Sequence, residues 1–237
     1  MSSEMMLLGM TAISLGFFHT ILGPDHYLPF VFMSKAKGWS ISKTAGVTFL
    51  CGLGHILSSV LLGFIGIILG VAVFKLETIE SFRGELAGWF LLGFGFTYCV
   101  WGLHQALRNK SHAHSHCHQA EKQHIHKHNH RGKHSHIHQS QDNRSVTPWI
   151  LFTIFIFGPC EPLIPLLMYP AAKGGLVTAL SVALVFGLTT IITMLGVVFI
   201  GSFGLMRLPL TNLEKYSHAL AGLTIFLCGG AIKFLGL

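Results

Sequence analysis

Six apolar stretches, each long enough to cross a lipid bilayer, dominate this chain of 237 residues and restrict it to one kind of fold. About 18 or more apolar residues in a row read as a transmembrane helix, because only helices and closed barrels satisfy their own backbone in lipid. The stretches lie at roughly 5–32, 44–73, 85–107, 148–171, 174–203 and 213–236. The expected class is all-α integral membrane, with six transmembrane helices and the lipid bilayer as first partner. Met1-Ser2-Ser3-Glu4 lacks the basic segment of a cleaved leader, so the first stretch is expected to stay as a helix.

The formal charge of +7 would suit a nucleic-acid partner, but its distribution points elsewhere. Lys35, Lys37 and Lys43 follow the first stretch, Arg108, Lys110, Lys122, Lys127, Arg131, Lys133 and Arg144 the third, and Arg207 and Lys215 the fifth. The other side holds Lys75, Arg83 and Lys173. This is the positive-inside bias. It places both termini outside and the 109–146 loop in the cytoplasm, in a bacterial cytoplasmic membrane, with no nucleic acid expected. The cysteines, Cys51, Cys99, Cys117, Cys160 and Cys228, form no Cys-x-x-Cys and suggest no disulfide framework.

The chain also repeats itself. Gly23-Pro24 recurs as Gly158-Pro159, Gly54 and Gly63 match Gly187 and Gly196, and Ala87-Gly88 and Gly95 match Ala221-Gly222 and Gly229. The offsets are 135, 133 and 134 residues, and each unit holds three stretches. An odd number of spans per unit forces opposite insertion, which is the inverted-repeat plan of many secondary transporters. The expected division is 1–108 for the first three-helix repeat, 109–146 for a loop and 147–237 for the second repeat. Gly63, Gly66, Gly70, Gly93, Gly95 and Gly102 are expected to let helices approach closely.

Between the repeats, His112, His114, His116, His118, His124, His126, His128, His130, His134, His136 and His138 alternate with polar residues. Little there could build a core, so a disordered loop is expected. Imidazole suits nickel, cobalt, copper and zinc, and it is mostly neutral at pH 7 with an ordinary pKa of about 6.5. The loop therefore reads as a site of metal capture.

Within the apolar stretches the polar residues concentrate at the Gly-Pro pairs. Gly23, Pro24, Gly158 and Pro159 are expected to break the first and fourth helices. Around them stand His19, Asp25, His26, Cys160 and Glu161, with His55 in the second stretch. Ionisable groups at such depth are costly and tend to face a pathway. On an unbroken helix His19 and His26 would be about 10 Å apart along the axis, too far to share an ion. Unwinding at Gly23-Pro24 could gather them. Counted by helical rise, His19, His55 and Glu161 reach a common depth about 20 Å from the cytoplasmic end, with Asp25 and His26 about 10 Å nearer the cytoplasm. No catalytic residue and no permanently bound cofactor is expected. No phosphate-cradling Gly-x-x-x-x-Gly-Lys-Ser/Thr occurs, so coupling to a proton gradient or potential is expected instead.

The first-helix pattern His19…Asp25-His26 resembles the nickel/cobalt transporter superfamily, whose signature spaces His and Asp-His by four residues. The gap of five here is similar to the NicO/UreH-like branch of small permeases, as are Phe157-Gly158-Pro159-Cys160-Glu161-Pro162 and the histidine-rich loop. The resemblance implies movement of nickel or cobalt, with zinc a further candidate. It makes His19, Asp25 and His26 essential and fits His55 to the second-helix histidine. A homo-oligomer and a link to a nickel enzyme such as urease are further expectations. The Gly-Pro-Cys repeat also resembles the membrane domain of the DsbD/CcdA thiol-electron carriers, whose chemistry needs a cysteine in both the first and the fourth helix. Here Cys160 is present, and its first-helix counterpart is Asp25. Export of a small anion such as sulfite or of a thiol compound, and metal storage for a urease or hydrogenase, are the remaining alternatives.

Overall fold

The computed structural model describes residues 3–108, 113–116, 124–127, 146–207 and 214–236. The membrane part is all-α: α1 (Ser3–Leu22), α2 (Leu28–Lys37), α3 (Ile41–Ile68), α4 (Val73–Arg108), α5 (Thr147–Phe157), α6 (Leu163–Gly174), α7 (Leu176–Arg207) and α8 (Ser217–Gly230). Five helical segments are long and apolar enough to cross a membrane, and the shorter apolar α5 continues past a break into α6. Within the connecting loop, Ala113–His116 pairs antiparallel with His124–Lys127. The remaining loop histidines and the disorder expected there lie outside the described residues.

Both breaks fall at the Gly-Pro pairs. Gly23 N–H makes the last α-type bond, to His19 O at 3.1 Å, and Pro24 has no N–H with which to continue. A single 3₁₀ turn, Pro24–His26, redirects the chain before α2 begins, with Pro29 in its first turn, where a missing N–H costs nothing. Gly158 likewise ends α5, and α6 restarts at Leu163. The third span starts earlier than hydropathy suggests. α4 begins at Val73, so Glu80 and Arg83 lie inside a helix rather than ahead of it.

The repeat is visible in how α4 meets α8. A Cβ on Gly88 would sit 3.6 Å from Gly229 O, and one on Gly95 would overlap the Phe226 backbone and lie 2.9 Å from Gly222 O. Gly88 thus faces the counterpart of Gly95, and Gly95 faces the counterpart of Gly88. That reciprocity is the mark of a two-fold interface, and the descending partner numbers make the two helices antiparallel. Units related in this way insert in opposite senses. Other packing follows the same exchange: α1 lies on α7, as α5 lies on α3. Gly63 and Gly66 also sit against a neighbour, Leu167 and Leu76, whereas Gly93 faces open space and Gly70 forms a turn at φ +63°.

Two packed clusters flank the centre. One, including Phe30, Leu151, Phe155, Met194 and Ile225, is built from helix halves that run toward the loop. The other, including Ala12, Ile56, Leu163, Leu167 and Phe186, fills the opposite half.

Candidate metal centre

Three histidines meet between these clusters. His19 is in the last turn of α1, His26 ends the 3₁₀ turn, and His55 stands mid-way along α3. Ring centroids are 4.7 Å apart for His19 and His26, 5.1 Å for His26 and His55, and 6.1 Å for His19 and His55. One nitrogen of each lies within 4.8 Å of the others. Imidazoles on one tetrahedral ion hold their nitrogens about 3.3 Å apart, so a bound ion would draw the three rings together.

The axial count on an unbroken helix placed His26 about 10 Å from His19. The 3₁₀ turn overrides it by folding Pro24–His26 back over the end of α1, so the two imidazoles touch. The break glycines also make the room. A Cβ on Gly23 would lie 2.6 Å from His26 Nδ1, and one on Gly158 would lie 3.0 Å from His55 Nδ1.

His26 and His55 are 4% and 2% exposed, yet His26 Nε2 and both His55 nitrogens have no hydrogen-bond partner among the described residues. The Phe155 carbonyl is close to His55 but outside bonding geometry. Each orphaned polar atom costs about 1–3 kcal/mol, so such atoms in one cluster call for an ion or water to bind. Three imidazoles with an open position are a donor set that zinc, nickel, cobalt and copper accept.

Asp25 stands behind this set. Its Oδ1 lies 3.2 Å from His26 Nδ1, which is also 3.2 Å from Gly23 O. Two acceptors at Nδ1 assign the proton there and leave the Nε2 lone pair for a metal, the carboxylate–histidine arrangement of metal sites. Asp25→Asn is therefore expected to weaken metal binding about 10- to 100-fold without removing it. Titration of purified protein against a chromophoric chelator checks this; unchanged affinity would detach Asp25 from the site.

Cys160, fully buried, places Sγ 3.8 Å from His19 Nε2. Neither Cys160 nor Glu161 belongs to the three-histidine cluster itself, and Glu161 is exposed. It lines a cavity of about 450 Å³ that also touches His19, Asp25, His26, Glu85 and Lys233. Equal depth along a helix therefore does not bring Glu161 to the imidazoles, because the break turns it toward the cavity. The cavity walls come from the two helix breaks, from Ser81 and Gly84 of α4, and from Ile232 and Gly236 after α8. On the loop side the rings of Phe30 and Phe155, 4.9 Å apart, pack beneath His26.

Sequence reasoning missed Glu80 and Arg83. Glu80 is fully buried and paired to Arg83, and its Oε2 accepts the Cys160 N–H at 3.1 Å. Arg83 donates to Ile156 O and to Ser58 Oγ, each at 2.6 Å. The available signal was the i, i+3 spacing of Glu80 and Arg83 at the edge of an apolar stretch.

Residues 28–231 match the family model of the cytochrome c biogenesis protein transmembrane region. The matched segment contains Glu80, Arg83, His55 and Cys160 and begins just after His19, Asp25 and His26. Of the two resemblances read from the motifs, it supports the one to the DsbD/CcdA membrane domain rather than the nickel/cobalt one. No curated protein and no solved structure matches the chain.

Proposed function

The chain belongs to the family of the cytochrome c biogenesis protein transmembrane region, and from that footing we propose that it is a permease for a divalent transition-metal ion. Nickel or cobalt passes through the site of His19, His26 and His55, with zinc a further substrate. The observation that carries this reading is the set of buried, unpartnered imidazole nitrogens where the first broken helix meets α3. Asp25 orients His26, and the cavity that holds Glu85 and Glu161 leads to the cluster. The membrane is the bacterial cytoplasmic one, with the 109–146 loop inside, where its histidines bind the same ions. A nickel enzyme such as urease is a fitting destination.

The family match favours a second reading, transfer of electrons between thiols. It needs a partner for Cys160. The described cysteines are free, Cys51 belongs to a different packed cluster, and Asp25 occupies the first-helix position. Anion export is opposed by charge: Arg83 is held by Glu80, and Lys233 by Glu85 at 2.8 Å.

A doubly charged ion gains about 4.6 kcal/mol per 100 mV of potential, enough to drive uptake. Proteoliposomes with radioactive nickel, cobalt or zinc, with and without an imposed potential, test the proposal. Flux above empty vesicles is expected, and flux of none of the three under any gradient would sink it. Deleting 112–138 is expected to change apparent affinity by less than about tenfold, since the proposed path uses none of those histidines. Complete loss on that deletion would move the site into the loop.

A further inference from the structure

We infer that Glu80 and Arg83, neither of them a ligand, decide which ions the site accepts by holding Cys160 in place as its soft fourth ligand. This rests on the metal reading above. A buried ion pair is weak evidence for stability, since desolvation offsets its attraction, so its geometry has to show its use. One Glu80 oxygen faces Arg83 and the other takes the Cys160 N–H. Arg83 spans the other side of the same break, reaching Ile156 O in the last turn of α5. It also reaches Ser59 Oγ at 3.3 Å and Ser58 Oγ, which itself donates to His55 O at 2.8 Å. A single pair on α4 therefore fixes both ends of the break in the fourth helix, together with the turn of α3 that carries His55.

Among the described residues the first helix has no such anchor. Its freed carbonyl, Ile21 O, is met by Tyr27 of the same segment at 3.3 Å. The half with the external anchor is the half whose break carries a thiol. The anchored position leaves Sγ 3.8 Å from His19 Nε2, close to the roughly 3.6 Å between sulfur and nitrogen on one tetrahedral ion. Sγ lies outside the three-histidine group itself and reaches it through His19, whose neighbours His26 and His55 hold buried, unpartnered nitrogens. Three imidazoles alone discriminate poorly among late transition metals, and a thiolate tilts the site toward softer ions. As the sulfur–metal bond forms, the S–H bond breaks and its proton leaves to solvent.

Titration with Co²⁺ in detergent reads the ligands of the buried site when wild type and variants all lack residues 112–138, which removes the loop histidines and Cys117. Wild type is expected to show ligand-field bands in the visible and a thiolate-to-cobalt charge-transfer band in the near ultraviolet. Cys160→Ser and the double change Glu80→Gln/Arg83→Gln are both expected to keep the first and lose the second. Their preference for Cd²⁺ over Co²⁺ is expected to fall at least ~10-fold. A double variant that keeps the charge-transfer band would overturn the positioning role. Wild type with ligand-field bands but no thiolate band would overturn the inference and leave the metal reading standing; neither band would overturn both. Should the double variant not fold, Glu80→Asp, one methylene short of Cys160 N–H, takes its place with the same expected loss.

Discussion

His26→Ala is expected to lower transition-metal flux by at least ~100-fold while the protein remains folded in the membrane. Loss of a group behind a metal ligand costs about 10- to 100-fold in affinity, and loss of the ligand itself costs more. His26 also touches His19, His55 and Asp25. Folding is expected to survive because only the Nδ1 contacts to Asp25 and Gly23, within the same turn, are lost, while Nε2 has no hydrogen bond to lose. The truncation removes an unsatisfied polar atom, which offsets part of the lost packing. Flux in proteoliposomes and thermal unfolding of the same preparation separate the two effects. Normal flux through folded His26→Ala would remove the histidine cluster from the path.

Gly222→Leu is expected to destabilise the fold by more than ~3 kcal/mol, beyond the usual range for overpacking. Even a Cβ there would overlap the Cys99 backbone, and a backbone held in a helix cannot turn aside as a side chain can. Gly93→Leu is the control, because a Cβ there meets nothing within 4 Å. Size-exclusion profiles and thermal unfolding in detergent should show Gly222→Leu lost or aggregated and Gly93→Leu near wild type. Equal behaviour would mean that α4 and α8 are not packed as described.

Hydropathy alone was enough to read the membrane class, and the Gly-Pro pairs marked both broken helices, since lost N–H groups and apolar length are local properties. Glycine matches exposed the repeat, and Gly88, Gly95, Gly222 and Gly229 turned out to be its two-fold contact. Depth counting failed at His26, because it assumes a straight axis and His26 follows a break; for Glu161 it could give a depth but not a direction. Glu80 and Arg83 went unread for a different reason. Two opposite charges near a hydropathy boundary look like the end of a helix, and only the tertiary fold shows that they neutralise each other inside one.

The crossing of α4 and α8 has one more consequence. A contact on a two-fold axis maps onto itself when the two repeats exchange roles, whereas α2 and α6 do not. Here α2 leans on α8 and α6 leans on α7, an unequal arrangement of equivalent parts. The proposed permease would have to present its site to each side in turn, and swapping those unequal postures would do so. The glycine seam would then act as a fixed bearing, too tight to slide, about which the broken helices trade places.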